Sequence, residues 1–302
     1  MGVITTSSFA KALWPGVNAW YGKAYNDYSV EWDKLFEKNK SSKAYEEDVG
    51  VSGFGLARIK ATGAPIEYDS ERQGFTSRYQ HVTYALGFVI TREMYEDDQY
   101  DVVGKRKATG LARSLRQTKE IVGANIFNRA FNSSYTYGDG VELISGSNVN
   151  VAGGTWSNEL ASPADLSEAA LEQAAIDIYA FTDDRGLLIA AKPKKLVIAS
   201  PNQFEAMRIL EADGRTGTDS NDPNVLKTKG IIPEVIVNHY LTDADAWFLL
   251  TDVTDGLKYF ERRGDSFEQD NDFDTENAKF KATARYSFGA TDKRAIYGSE
   301  GV

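Results

Sequence analysis

VTYALGFVITREMYEDD, residues 82–98, places two kinds of secondary structure back to back. In its first half Val82, Tyr84, Leu86, Phe88 and Ile90 alternate with Thr83, Ala85, Gly87 and Thr91. A period of two predicts a strand with one buried face. From Thr91 the period changes. Ala108, Leu111, Leu115, Val122 and Ile126 are spaced for one apolar helix face, so Thr91 to Asn132 is read as helical. Acids lead this stretch (Glu93, Glu96, Asp97, Asp98, Asp101) and bases follow (Lys105, Arg106, Lys107, Arg113, Arg116, Lys119), the order that complements the helix dipole. Gly104 and Gly110 each weaken a helix by roughly 1 kcal/mol, which predicts a break near them. The continuous piece from about Lys105 to Phe131 would span about 40 Å.

Upstream, Gly50 to Ile90 is read as a long two-stranded excursion whose return limb is the alternating stretch. Its middle, Thr62-Gly63-Ala64-Pro65 through Arg72-Gln73-Gly74, carries the turn residues and charges of an exposed tip. A hairpin of that reach is marginal alone and needs a partner surface. Residues 1–49 hold no sustained periodicity but many aromatics, among them Trp14, Trp20, Tyr21, Tyr25, Trp32 and Phe36. They read as an arm whose aromatics are covered either by a neighbouring domain or subunit or by this chain's own core.

Downstream, Ser133 to Ala161 is a connection rich in Gly, Ser and Asn, and it marks the strongest boundary. A mixed α and β unit follows. Asp165 and Glu168 resemble a capping box before a helix with Leu171, Ala174, Ala175, Ile178 and Phe181 on one face. Leu196 to Ala199 reads as a short buried strand, and Ser200-Pro201 as the start of a helix running to Leu210, with serine as its cap. Ala212 to Asn224 is loop-like. Ile231 to Val237, Ala246 to Thr251, Leu257 to Arg263 and finally Lys279 to Phe288 read as strands.

Composition removes whole classes of function. The 302 residues include no cysteine, which excludes disulfides, thiolate metal sites and cysteine nucleophiles and points to the cytoplasm as the place of synthesis. No segment approaches the roughly 20 apolar residues of a membrane span. Met1-Gly2 with Thr6 fits a myristoylation pattern but has no polybasic follow-up, and the plain reading is preferred. A net charge of −10 disfavours direct DNA reading, since phosphate neutralisation needs clustered Lys and Arg. The two histidines, His81 and His239, stand far apart with no nucleophile elbow nearby. Gly53-Phe54-Gly55 begins a Gly-x-Gly pattern, but Arg58 occupies the place of the third glycine. Asp270, Asp272, Asp274 and Glu276 alternate like calcium ligands, yet Thr275 and Lys281 stand where an EF-hand needs glycine and glutamate. A solvated acidic loop is the reading adopted there. No catalytic, cofactor-binding or metal-ligating residue is assigned.

The order arm, long hairpin, long helix, mixed domain, closing strand resembles the Hong Kong 97-type major capsid proteins of tailed phages. So do particular stretches: residues 64–69 with 73–76 in the hairpin, 91–98 opening the helix, Tyr137-Gly138-Asp139-Gly140 after it, and 284–289 leading to 292–298. The resemblance covers nearly the whole chain and rests on the combination, since no single motif is diagnostic. It implies an α+β fold with an N-terminal arm at 1–49, an extended loop at 50–90, a peripheral domain with a spine helix at 91–164, an axial domain at 165–263 and returning strands of the peripheral domain at 264–302. It implies a structural protein that is no enzyme and needs no cofactor, self-assembling as hexamers and pentamers into the icosahedral head around phage double-stranded DNA. Synthesis would occur in the bacterial host cytoplasm. The sequence starts directly at the arm, without the leading scaffold segment of some relatives, so a separate scaffolding protein and a portal are the expected partners. Arg72 and Arg78 on the extended loop offer charges to a neighbour's acids, although solvent-facing charges are the commoner outcome. Some members join a lysine of this loop to a neighbour's asparagine, with a carboxylate as base. Here Lys60 is the only lysine between 50 and 90, Asn277 offers an amide, and residues 279–291 contain no Asp or Glu. The resemblance therefore points to a shell without covalent crosslinks. Two other readings are kept: an encapsulin-like compartment, and a soluble carboxylate-dependent hydrolase.

Overall fold

The computed structural model describes residues 7–63, 65–96, 103–214, 223–272 and 277–302. In chain order the elements are α1 (Ser7–Asp27), a 3-10 turn (Trp32–Lys34), β1 (Glu37–Lys40), β2 (Tyr45–Ser52), β3 (Arg72–Gln80), β4 (Val82–Ile90), α2 (Arg92–Glu96) and α3 (Lys105–Asn128). Then come β5 (Asn148–Val149), β6 (Thr155–Trp156), α4 (Glu168–Tyr179), β7 (Pro193–Ala199), a second 3-10 turn (Ser200–Asn202), α5 (Gln203–Glu211) and α6 (Val225–Lys229). The chain closes with β8 (Glu234–Asn238), β9 (Trp247–Thr251), β10 (Leu257–Asn271), β11 (Ala278–Ala290), a 3-10 turn (Lys293–Ala295) and β12 (Ile296–Ser299). Two compact units share this chain. The first takes residues 1–45, 80–123 and 259–287, and the second takes 46–79, 124–258 and 288–302.

In the first unit β1, β10, β11 and β4 form one sheet in that order. β4 runs antiparallel to β11 with Phe88 opposite Phe280 and Gly87 opposite Lys281. The Phe88 and Phe280 rings stack 4.9 Å apart. Gly87 is needed here, because a Cβ at that position would lie 2.6 Å from the Phe280 carbonyl oxygen. Helices supply the other layer of the core. Val17, Tyr21 and Ala24 of α1 and Ala108, Leu111, Ala112 and Leu115 of α3 are buried together with Ile90, Phe280 and Ala282. Each large side chain buried in this way contributes about 2 kcal/mol.

Two expectations are corrected in this unit. The alternating stretch is a strand, but it pairs with β11, whereas the outgoing limb β2 pairs with β3. A period-two pattern fixes which face is buried and leaves the partner open, so it does not distinguish β2 from β11 as the neighbour of β4. The aromatic N-terminal stretch contains a 21-residue helix. Pro15-Gly16 in the sequence hides the short face of Val17, Tyr21 and Ala24. Among the described side chains, Tyr21, Trp32 and Phe36 are buried by this chain itself.

In the second unit β12, β9, β7 and β8 form a sheet in that order. β7 and β8 run parallel, Leu196 opposite Val235, and the crossover between them carries α5 and α6, as a parallel pair requires. Every residue of β9 and β12 is buried, so both strands read as apolar runs. The sequence reading lacked β12, which pairs Ile296 with Leu250 and Tyr297 with Leu249. Two caps also differ. Ser167 caps α4, accepting from the Ala170 N–H at 3.2 Å, while Asp165 accepts from the Val302 N–H at 2.9 Å. The 3-10 turn at Ser200–Asn202 follows Ala199 without a side-chain cap. The Gly- and Asn-rich connection is pinned by the buried Asn158. Its Oδ1 accepts from the Ser145 N–H at 2.9 Å and the Asn148 amide at 2.8 Å, and its own amide donates to the carbonyls of Leu143 and Ile296 at 3.0 and 3.1 Å.

Candidate functional site

The feature whose geometry asks for a partner is the excursion that leaves β2 and returns in β3. Its base is tightly held. Lys258 is only 8% exposed and places its Nζ between the carboxylates of Asp48 and Asp255, the second at 2.7 Å. Thr291 Oγ1 donates to Asp48 Oδ2 at 2.9 Å and lies 2.6 Å from the Tyr79 hydroxyl. Burial alone would raise the Asp48 pKa, but hydrogen bonds from Lys258 and Thr291 win and hold it below the ordinary value. Burial opposes the charge on Lys258 as well, and the two carboxylates overcome it and raise its pKa. Gly289 leaves room for the Tyr79 ring, since a Cβ there would come within 2.7 Å of it.

Beyond Ser52 regular strand pairing ends, and side chains continue the register. Ser52 Oγ accepts from the Arg72 N–H at 2.9 Å, Asp69 Oδ2 accepts from the Gly55 N–H at 2.8 Å, and Arg58 meets Glu67 at 3.0 Å. These pairs converge on Thr62-Gly63, where Gly63 adopts φ 82°, a value that favours glycine. The turn therefore sits at the start of the stretch read as the tip, whereas Arg72-Gln73-Gly74 belongs to β3, and ten residues of limb give a reach of about 33 Å. Arg185 of the second unit joins the same cluster, contacting Asp69 at 2.6 Å and the Ser70 carbonyl. The apolar side chains of the excursion are uncovered: Phe54, Leu56, Ile59, Ile66 and Tyr68 are all exposed, Ile59 completely. Large apolar side chains exposed in this number along one segment are what an interaction surface offers.

In the first unit a buried charge site binds the N-terminal segment to α3. Glu120 accepts the backbone N–H groups of Glu31 and Trp32 at 3.1 and 2.9 Å, which caps the first 3-10 turn. Burial raises its pKa against those two donors. Lys119 donates to Asp265 at 2.9 Å, and the rings of Tyr286, Trp32 and Tyr259 stand 5.2, 5.8 and 5.9 Å from its Nζ. The Tyr25 hydroxyl donates to the same carboxylate. The sequence pattern places Lys119 among the bases that complement the helix dipole, and helical phase turns it inward.

The residues weighed for chemistry do not converge. His81 lies between the hydroxyls of Ser287 and Ser41, each at 3.0 Å. His239 follows β8 in the other unit. Gly53-Phe54-Gly55 lies in the exposed outgoing limb. Asp272 pairs with Lys279 at 2.6 Å, while Asp274 and Glu276 lie outside the described residues. Among the described residues no cluster of His, Asp or Glu is arranged to hold a metal ion. A cavity of about 670 Å³ in the second unit is bordered by several aspartates. These are already engaged: Asp139 by Lys293, Asp184 by Arg294, Asp183 by the N–H groups of Arg185 and Leu187, and Asp252 by the Lys192 N–H. They serve as anchors for turns. Arg78 of the excursion lies 3.9 Å from Glu47, and Lys60 is exposed.

The sequence profile of the phage capsid protein family matches residues 74–299. No curated protein sequence matches the chain. Solved structures do. The procapsid of bacteriophage JBD30 is matched with a TM-score of 0.55 and 12% identity over 97% of this chain and 75% of that one. The virus-like particle from Pyrococcus furiosus gives 0.54 and 12% over 94% and 98%, and the capsid of a native GTA particle gives 0.54 and 14% over 89% and 88%. At such identities the likeness concerns the fold, which is the Hong Kong 97-type capsid fold.

Proposed function

The chain belongs to the phage capsid protein family and is a structural major capsid protein of a bacteriophage head, and from this we propose that it works without catalysis, by joining copies of itself as hexamers and pentamers into an icosahedral shell around double-stranded DNA. The observation that carries the reading is the excursion at 53–71, which is clamped at its base and uncovered along its apolar side. Such a limb is marginal alone and gains its cover from a second copy. Residues 91–164 with 264–287 serve as the peripheral domain, with α3 as spine, and 165–263, joined by the returning strand β12, as the axial domain that meets its copies at capsomer centres. A scaffolding protein and a portal complete the assembly, and synthesis takes place in the host cytoplasm. Among the described residues no helix is long and apolar enough to cross a membrane. An encapsulin-like compartment shares the fold, but the family match is to phage capsid proteins, which favours the head.

Electron microscopy of the expressed protein, with and without a candidate scaffold, tests the proposal. Closed shells or rings of five and six support it, and a monodisperse monomer under all conditions contradicts it. Shell subunits should run as one band on denaturing electrophoresis, since the Lys60 and Asn277 pair has no carboxylate within 279–291 to serve as base. A ladder of covalent multimers would overturn that part.

A further inference from the structure

We propose that Asp69 and Arg185 are a positioning pair that pre-organises the 53–71 excursion for capture by a second copy, an inference that rests on the shell-building reading. Nineteen residues leave the β2–β3 ladder with no regular pairing of their own. Holding such a segment in one arc costs conformational entropy, and any part of that cost met before association strengthens association. Asp69 is where the arc is held. One of its oxygens accepts from the Gly55 N–H at 2.8 Å on the opposite limb and from Arg185 at 2.6 Å, and the other from the Ser70 N–H at 2.8 Å. Arg185 spans two acceptors, since its second terminal nitrogen donates to the Ser70 carbonyl. A planar guanidinium fixes direction in a way a single ammonium contact does not.

Arg185 is itself set in place. It lies in a tight turn in which Asp183 Oδ1 accepts the N–H groups of Arg185 and Leu187, each at 2.8 Å, and Gly186 takes φ 82°. The contact could serve either to mask the excursion or to present it, and the side chains decide. A masking latch would bury the apolar groups, whereas Phe54, Leu56, Ile59, Ile66 and Tyr68 all stay exposed while the pair is closed. The pair therefore holds the arc with its apolar side chains open to a partner, and its loss should weaken assembly.

Two measurements on the full-length protein test this. Hydrogen exchange on the unassembled subunit reads the arc directly: Arg185→Ala and Asp69→Asn should accelerate exchange across 53–71 while β7 and β9 keep their protection. Light scattering then reads assembly, where the same variants should need about fivefold more protein to form shells. The swapped double variant D69R/R185D should recover part of both effects, and Arg185→Lys should recover less than half, because it lacks the fork. Unchanged exchange across 53–71 in Arg185→Ala, or shells at the wild-type concentration, overturns the proposal. Failure of the wild-type protein to form any shell would instead refute the shell-building reading, with the exchange result still deciding the role of the pair.

Discussion

The base and the outer limb of one excursion are built on opposite terms. At the base a buried lysine sits between two carboxylates, and a threonine and a tyrosine complete the site. Eleven residues beyond Asp48, Ile59 has no contact that covers it. The base spends its polar groups on this chain, while the limb keeps its apolar groups for something else. The difference teaches that the folding and the assembly of this protein are carried by separate side chains and can be broken separately.

The largest effect on the isolated subunit is expected at Lys258. Lys258→Ala leaves Asp48 half-buried without its cation and should cost about 3 kcal/mol, seen as a lower midpoint in denaturant unfolding. A midpoint within error of wild type would mean that the base is not the anchor described. The same site sets a pH window. The Asp48 pKa is lowered, so its contribution is present above its ordinary value of 3.8 and is lost as pH falls through the depressed one. The Lys258 pKa is raised, so its contribution is present below its ordinary 10.5 and is lost only as pH rises beyond that. Protection of the β2–β3 amides should therefore be level from about pH 5 to 9 and fall below about pH 4, with Asp48→Asn flattening the acid limb of the profile.

A smaller change is expected one step outward. Ser52→Ala removes an acceptor for the Arg72 N–H and should cost about 1 kcal/mol by thermal melting. At the tip the sign of the comparison reverses. Leu56→Ser and Ile59→Ser should alter subunit stability by less than about 0.5 kcal/mol while raising the concentration needed for shells about tenfold. A tip variant that melts early, or that assembles as well as wild type, would erase the distinction between base and limb.

Much of this architecture was legible in the sequence, for reasons that can be located. The alternation of Val82 to Ile90 announced β4, the spacing of Ala108, Leu111 and Leu115 announced α3, and Thr62-Gly63 announced the tip. Periodicity and turn chemistry are local, so local reading suffices for them. The partner residues of β4 lie 188 to 204 positions away, and no pattern within either strand names the other. Polar groups at the anchors were equally hidden. Lys119 and Glu120 look like surface charges until α3 is phased against the first 3-10 turn, and Asn158 looks like a loop residue until five groups converge on it. Ser167 displaced Asp165 as the cap of α4 because an N-cap is decided by which side chain reaches the third N–H, a distance that sequence spacing fixes only within a residue or two. The excursion was legible as a feature in need of a partner, yet the Asp69–Arg185 contact that shapes it joins residues 116 positions apart.

A reconstruction of the assembled shell by electron cryomicroscopy tests the central claim most directly, through the position of residues 53–71. The account predicts that Phe54, Leu56 and Ile59 lie against a second copy while Asp48 and Lys258 remain paired within one. Shells in which 53–71 folds back on its own chain or faces solvent, with the subunits held by other surfaces, would contradict it.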